Sequence, residues 1–170
     1  MDESMLIVRA QQGDREAVSQ LWDAYTPKIY GYLMNTLRDR PLSEDTLQTT
    51  WQKALEALPR FRARGVPFGA WLFAIARNEC RRNWRTSGRE VPLEPEHDRP
   101  RDDDGSRGDA IFIEQMLATL SEEDRELIRL RYIADLPIAE VARVLGITSI
   151  AARVRIHRTL KKLKQYVQQP

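Results

Sequence analysis

The 170-residue chain has a single cysteine, Cys80, and two histidines, His97 and His157. One thiol excludes an intrachain disulfide framework and a cysteine-based zinc site. The two imidazoles stand in unlike contexts, with no second ligand at metal spacing. Cys80 itself reads as a small buried side chain. No apolar run approaches the ~20 residues that span a bilayer. The N-terminus MDESMLIVRA lacks the basic region and long apolar core of a secretion signal. The expectation is therefore a cytoplasmic protein without membrane insertion. Phosphate-cradling glycine loops and the Gly-x-Ser-x-Gly elbow are absent. The one acidic run, Asp102-Asp103-Asp104, lies in a segment with no supporting pattern for a metal. No catalytic residue, no metal and no cofactor are expected, so the chain does not read as an enzyme.

What is abundant is leucine, alanine and charge, with few β-branched runs, which favours helix over strand. The net charge of +2 hides a division into zones. Residues 1–85 carry 13 basic and 10 acidic side chains, residues 86–109 carry 4 and 8, and residues 110–170 carry 10 and 7. Within the first zone, Arg60 to Arg85 holds seven arginines against Glu79 alone. Beyond Glu140 there are seven basic residues and no acidic one. Two basic zones joined by an acidic spacer point to two contacts with one polyanion. The spacer, TSGREVPLEPEHDRPRDDDGSRGD, is rich in Pro, Gly, Asp and Arg without apolar period, and reads as a flexible linker.

The flanks are helical in pattern. Asp14 is placed to cap a first long helix carrying Ala17, Val18, Leu21, Trp22 and Tyr25. Pro27 marks a break or a new first turn before Ile29, Tyr30, Leu33, Met34 and Leu37. Ser43 is expected to cap a helix that Pro59 ends. On it, Leu47, Trp51, Ala54 and Leu58 share one face, and Asp45, Gln48, Thr49, Gln52 and Glu56 the other. The segment GAWLFAIARNECRRNWR projects as one amphipathic helix at about 100° per residue. Leu72, Phe73, Ile75, Ala76 and Cys80 lie on its apolar side, and Arg77, Asn78, Arg81, Arg82 and Arg85 on the other. Trp71 and Phe68 fit the core or a pocket wall, and Trp84 is open between the two.

After the spacer, a helix is expected over Ile111–Leu120, and Ser121 with Asp124 resembles a capping box for the next. Pro137 opens a helix that Gly146 ends, and Thr148 caps a last, basic helix running to about Val167. Helix, glycine-bearing turn and basic helix form a helix-turn-helix pattern. Ala152, Ile156, Leu160, Leu163 and Val167 are expected inward, with Ile150, Arg153, Val154, His157, Arg158 and Lys161 outward. Aliphatic groups exposed at the start of such a helix can meet thymine methyls, and Arg can reach guanine.

These segments together resemble the extracytoplasmic-function sigma factors, a subfamily of the sigma-70 family of bacterial RNA polymerase. GDREAVSQLWDAY resembles the family's opening helix, SEDTLQTTWQKAL its A-E-D-x-x-Q-x-x-F-like segment, FGAWLFAIARNECRRNWR its W-L-x-x-I-A-r-N signature, and LSEEDRELIRLRYIADLPIAEVARVLGIT its second domain. The recognition helix departs from the family. Ile150–Arg155 reads IAARVR where relatives often carry Gly-Thr-Val-Lys-Ser-Arg, so a family promoter consensus does not transfer.

The resemblance implies an all-α protein of two small domains, 1–87 and 110–170, joined by a flexible linker over 88–109, the second a helix-turn-helix domain. It implies core RNA polymerase as partner, through the β′ clamp helices and the β flap. Promoter DNA is the second partner, and many relatives are held inactive by an anti-sigma protein. On this basis Asp45, Gln48, Thr49, Gln52 and Glu56 would face polymerase. Phe61, Arg62, Arg64, Trp71, Arg77, Asn78, Arg81, Arg82 and Arg85 would hold the minus-ten element as single-stranded DNA. Arg131, Ser149, Ile150, Arg153, Val154, His157 and Arg158 would hold the minus-thirty-five element as duplex. An autonomous helix-turn-helix regulator is the competing reading. It leaves the Gln48 face and the Trp71–Arg85 segment without a role.

Overall fold

In the computed structural model, which describes residues 2–62, 65–87 and 115–167, all regular structure among the described residues is helical. The first part comprises α1 (Glu3–Gln11), α2 (Arg15–Leu37), α3 (Arg40–Ala57), a 3-10 turn (Leu58–Arg60) and α4 (Phe68–Ser87). The second comprises α5 (Glu122–Ile128) with a π turn over Arg129–Ile133, α6 (Ile138–Leu145) and α7 (Ser149–Val167). The expected linker lies outside the described residues. So do residues 111–114 of the helix expected over Ile111–Leu120, and of the remainder residues 115–118 are helical.

Local chemistry sets most of the boundaries. Asp14 caps α2, accepting from the backbone N–H of Glu16 at 3.0 Å and Ala17 at 3.3 Å. Arg9 donates to the same carboxylate at 2.7 Å. That bond and the Ala17 N–H hold the Asp14 carboxyl below its ordinary range. A depressed acid stabilises the fold above its unfolded pKa and loses that contribution as pH falls through the folded value. Asp14→Ala is thus expected to lower the melting temperature at neutral pH, with the gap to wild type closing in strong acid.

Two expected boundaries are corrected. Pro27 does not break the chain: α2 runs through it for 23 residues. Pro27 and Asp23, whose carbonyl loses its donor, are both exposed, so the lost hydrogen bond is open to water. Leu21, Ile29, Tyr32 and Leu33 on either side stay buried. The α3 cap is Asp39, which accepts from the Leu42 N–H at 2.9 Å. Ser43 is buried inside the helix, its hydroxyl donating to the Asp39 carbonyl at 2.7 Å. Pro41 in the first turn lacks only an N–H that would have had no intrahelical partner.

In the second part the Ser121 hydroxyl accepts from the Asp124 N–H at 3.2 Å. Gly146 closes α6 at φ 70°, a left-handed conformation that glycine takes without a Cβ clash. The Thr148 hydroxyl accepts from the Ala151 N–H at 3.1 Å to start α7. Ala152, Ile156, Thr159 and Leu163 form the buried side of α7. Leu160 and Val167 are exposed instead of buried. Thr159 takes the inward position because 152, 156, 159 and 163 recur every three or four residues on one helix face, from which Leu160 is turned by about 100°.

The two parts pack directly on each other, which the picture of two modules on a linker did not anticipate. Buried side chains from α1 to α4 and from α5 to α7 join in one apolar cluster. The seam runs between α2 and the π turn, and between α4 and α6. Gly31 brings α2 close to Ile133, whose Cγ2 would lie 3.7 Å from an added Cβ.

Candidate nucleic-acid and polymerase interfaces

The side chains that sequence assigns to polymerase share one face of α3. Asp45, Gln48, Gln52 and Glu56 are exposed and Thr49 half-buried. Thr46, Thr50, Trp51 and Ala54 point the other way and are buried. Thr46 and Thr50 satisfy their hydroxyls on the carbonyls one turn back, at 2.6 and 2.7 Å. Thr46 also accepts from the Asn83 amide at 2.8 Å, so α3 and α4 are fixed side by side. Lys53, at the edge of the polar face, pairs with buried Glu79 of α4 at 2.5 Å. The polar face therefore stands on a helix held rigidly from behind.

The loop before α4 is built from aromatics. Phe61 is buried, with its ring 4.7 Å from Trp71 and 5.8 Å from Phe68. Its backbone carbonyl accepts from Gln11 at 2.7 Å. Phe61 thus stands as a support of the loop, one of the two roles, pocket wall or support, open to it in the sequence. Trp71 is half-buried in the same stack, 5.4 Å from Phe68. Arg62 is exposed, and Arg64 lies outside the described residues.

On α4 the two characters separate as projected. Leu72, Phe73, Ala76 and Cys80 are buried. Burial pushes the Cys80 thiol up to about 12, Glu126 adding to the effect, so it is inert as a nucleophile. Asn78, Arg81, Arg82 and Arg85 are exposed and form a cationic stripe one turn apart. Arg77 differs. Its side chain is 18% exposed and its Nε donates to Glu126 of α5 at 3.2 Å. Trp84, open in the sequence reading, is half-buried and lines the cleft between α4 and the second part.

The helix-turn-helix is assembled by α6 and α7. Ser149, Ile150, Arg153, Val154, His157 and Arg158 are all exposed on one side of α7. Ile150 is 76% exposed, although folding alone would favour burying so apolar a group. Arg131 is half-buried, donates to the Leu136 carbonyl at 3.3 Å and lies over the Tyr132 ring at 5.4 Å. It is held to its own turn, with Asp135 a further partner at 3.7 Å. Arg155 turns back to Asp124, 3.0 Å away, and to Glu123. It anchors α7 on the start of α5.

Sequence reasoning missed the polar seam. Tyr32 donates its hydroxyl to Glu126 at 2.7 Å. Arg129, 2% exposed, pairs with Glu122 at 2.7 Å and donates to Asn35 of α2 at 3.1 Å. The available signal was a crowded charge pattern, Glu122 to Glu126, in a helix that had to bury Leu127 and Leu130. Among the described residues no cluster of metal-ligating side chains occurs, and no helix is long and apolar enough to cross a membrane.

A rigid polar helix face, a cationic helix beside an aromatic loop and a basic helix-turn-helix occur here in one chain. Residues 21–90 match the family model for sigma-70 region 2, and residues 113–163 match that for sigma-70 region 4. The ECF RNA polymerase sigma factor ShbA of Streptomyces griseus subsp. griseus is 32% identical, over 96% of this chain and 94% of that protein. The chain belongs to the extracytoplasmic-function sigma factors. As a member of that family, it directs transcription initiation together with core RNA polymerase. The ECF sigma factor SigD of Mycobacterium tuberculosis is 31% identical over 95% of this chain and 82% of its own length. Among solved structures, CnrH in complex with the cytosolic domain of CnrY superposes with TM-score 0.74 at 26% identity, covering 96% of this chain and 95% of that one. The sigma factor RpoE of Bartonella quintana, solved with the anti-sigma factor NepR, shares the fold, with TM-score 0.70 at 24% identity over 89% and 96% of the two chains.

Proposed function

We propose that this sigma factor divides promoter recognition between its two basic surfaces, residues 1–87 taking the minus-ten element and residues 110–170 the minus-thirty-five element. The carrying observation is the exposed stripe of Asn78, Arg81, Arg82 and Arg85 on a helix whose opposite side is core. Guanidinium groups one turn apart track phosphates, and the Asn78 amide can both donate to and accept from a base edge. Trapping unstacked bases is worth about 1–3 kcal/mol each where an aromatic ring supports them. Trp71, half-buried at the edge of its stack, is the ring available for that role. Ile150, Arg153, Val154, His157 and Arg158 on α7 read the duplex element, and the α3 face docks on the β′ clamp helices. The second domain meets the β flap. Docked on polymerase, the two weak DNA contacts act at high effective concentration.

The test is open-complex formation by core polymerase on a promoter library with the purified chain added. Selective opening of a subset of promoters is expected. Absence of both polymerase binding and opening would refute the reading in favour of an autonomous DNA-binding regulator. Within that assay Arg153→Ala is expected to change preference at one upstream base pair by about 1–3 kcal/mol. A uniform loss across upstream sequences would make Arg153 a phosphate contact. The structure of CnrH solved with the cytosolic domain of CnrY is in keeping with a protein regulator of this chain, the anti-sigma protein that the family resemblance implies.

A further inference from the structure

We propose that Ile150 and Val154 read thymine methyl groups in the major groove, so that the upstream element of the promoters this chain selects carries thymine at one or two positions recognised through the methyl itself. This rests on the reading above that α7 contacts the duplex element. Three observations on α7 carry it.

First, neither side chain has a use within the fold. Ile150 is 76% exposed and Val154 44%, while Ala152, Ile156, Thr159 and Leu163 hold the buried side of α7. With Ile150 set at 0° and about 100° per residue, those four fall at about 180–240° and Val154 at about 40°. The two aliphatic groups thus stand on the ridge of α7 furthest from the core. Leaving them in water is unfavourable, and a partner that covers them recovers that free energy. Second, the ridge is framed by basic groups. On the same projection Arg153 lies at about −60° and Arg158 at about 80°, with His157 and Lys161 within about 20° of Ile150. All four are exposed, and α7 holds no acidic side chain. An apolar ridge between guanidinium groups suits a groove walled by phosphates and floored with thymine methyls. Third, the outward residues limit which bases are readable. From Ser149 to Thr159 there is no Asn, Gln, Asp or Glu, the side chains that pair with adenine or cytosine donors. Arginine pairs with guanine, and aliphatic groups meet thymine. Ile150 and Val154 are about 6 Å apart along the axis, close to two base-pair steps of about 3.4 Å each. Both lie in the first two turns, the end of a recognition helix that meets base edges.

The experiment uses the full chain assembled with core polymerase and the promoters it selects from a library. Each thymine of the selected upstream element, on either strand, is replaced in turn by uracil, which keeps every donor and acceptor of the base and removes only the methyl. In competition with the unmodified promoter, binding is expected to fall about fourfold at one or two positions, the effect of one buried methyl group, and to stay level at the other thymines. Ile150→Ser combined with Val154→Ser should bind the unmodified promoter more weakly and show no penalty for uracil at those positions. Both side chains are exposed, so the substitutions remove no core contact. An upstream preference that lacks thymine, a preference with no uracil effect, or a uracil effect that persists in the double variant overturns the proposal while the sigma-factor reading stands. Absence of both polymerase binding and promoter opening overturns the two together.

Discussion

Arg129→Ala is expected to cost about 3–5 kcal/mol of folding free energy, the usual loss when one partner of a buried ion pair is removed. Arg129 is 2% exposed and sits between Glu122 and Glu126, at 2.7 and 3.7 Å. Its third contact is the Asn35 carbonyl oxygen across the seam. Alanine leaves Glu126 buried with only Arg77 and the Tyr32 hydroxyl to balance it, and opens a cavity where the guanidinium lay. Arg125, also buried, pairs with Glu122 at 3.3 Å and donates to the Leu120 carbonyl. Burial lowers its pKa, and Glu122 opposes the shift. Against a typical total stability of about 5–15 kcal/mol, the change should move the urea midpoint by a large fraction of its value.

A double-mutant cycle locates the cause. Arg129→Met alone should cost nearly as much as alanine, because the stranded carboxylate dominates. Arg129→Met combined with Glu126→Met should recover most of the loss, as buried pairs replaced by apolar groups usually do. A single-variant cost under about 1 kcal/mol, the scale of a surface pair, would show that Glu126 escapes to solvent by separation of the domains. The cycle therefore also measures how much of the pairing depends on the seam staying closed.

What was legible in the sequence was what a residue does to its near neighbours. Asp14, Gly146 and Thr148 act within four residues of themselves, and each cap was readable from type and position. Ser43 misled because Asp39, four residues earlier, offers the stronger acceptor at the same helix start. Pro27 misled because its cost depends on whether the freed carbonyl meets water, which is a tertiary fact. The division of α4 into core and cationic sides followed from helical geometry, as did the outward Ile150. Arg77 and Glu126 lie 49 residues apart, and no periodicity links them. Phe61 shows the same limit from the other side. Its neighbours Arg60 and Arg62 are exposed, so composition marked the loop as a DNA surface, whereas the ring itself completes a stack with Phe68 and Trp71.

The α3 face permits the second large prediction. Gln48→Trp with Gln52→Trp is expected to weaken assembly with core polymerase by at least tenfold, equivalent to about 1.4 kcal/mol. Interface centres tolerate bulky misfits poorly, and losses of about 2 kcal/mol or more mark their energetic core. Both glutamines are exposed, and their replacement touches none of Thr46, Thr50, Trp51 or Ala54 on the buried side. The hydrogen bond that the Gln52 amide donates to Glu56, at 3.1 Å, lies on the surface, and surface pairs of this kind add little to stability. The melting temperature should therefore stay near wild type. Binding of the free chain to DNA should also be unchanged, since α4 and α7 carry that activity in the reading argued above. Retained assembly with polymerase would move the docking surface off α3. Loss of assembly together with loss of DNA binding would instead mean that the substitutions disturb α4, which Asn83 ties to Thr46 on the far side of the same helix.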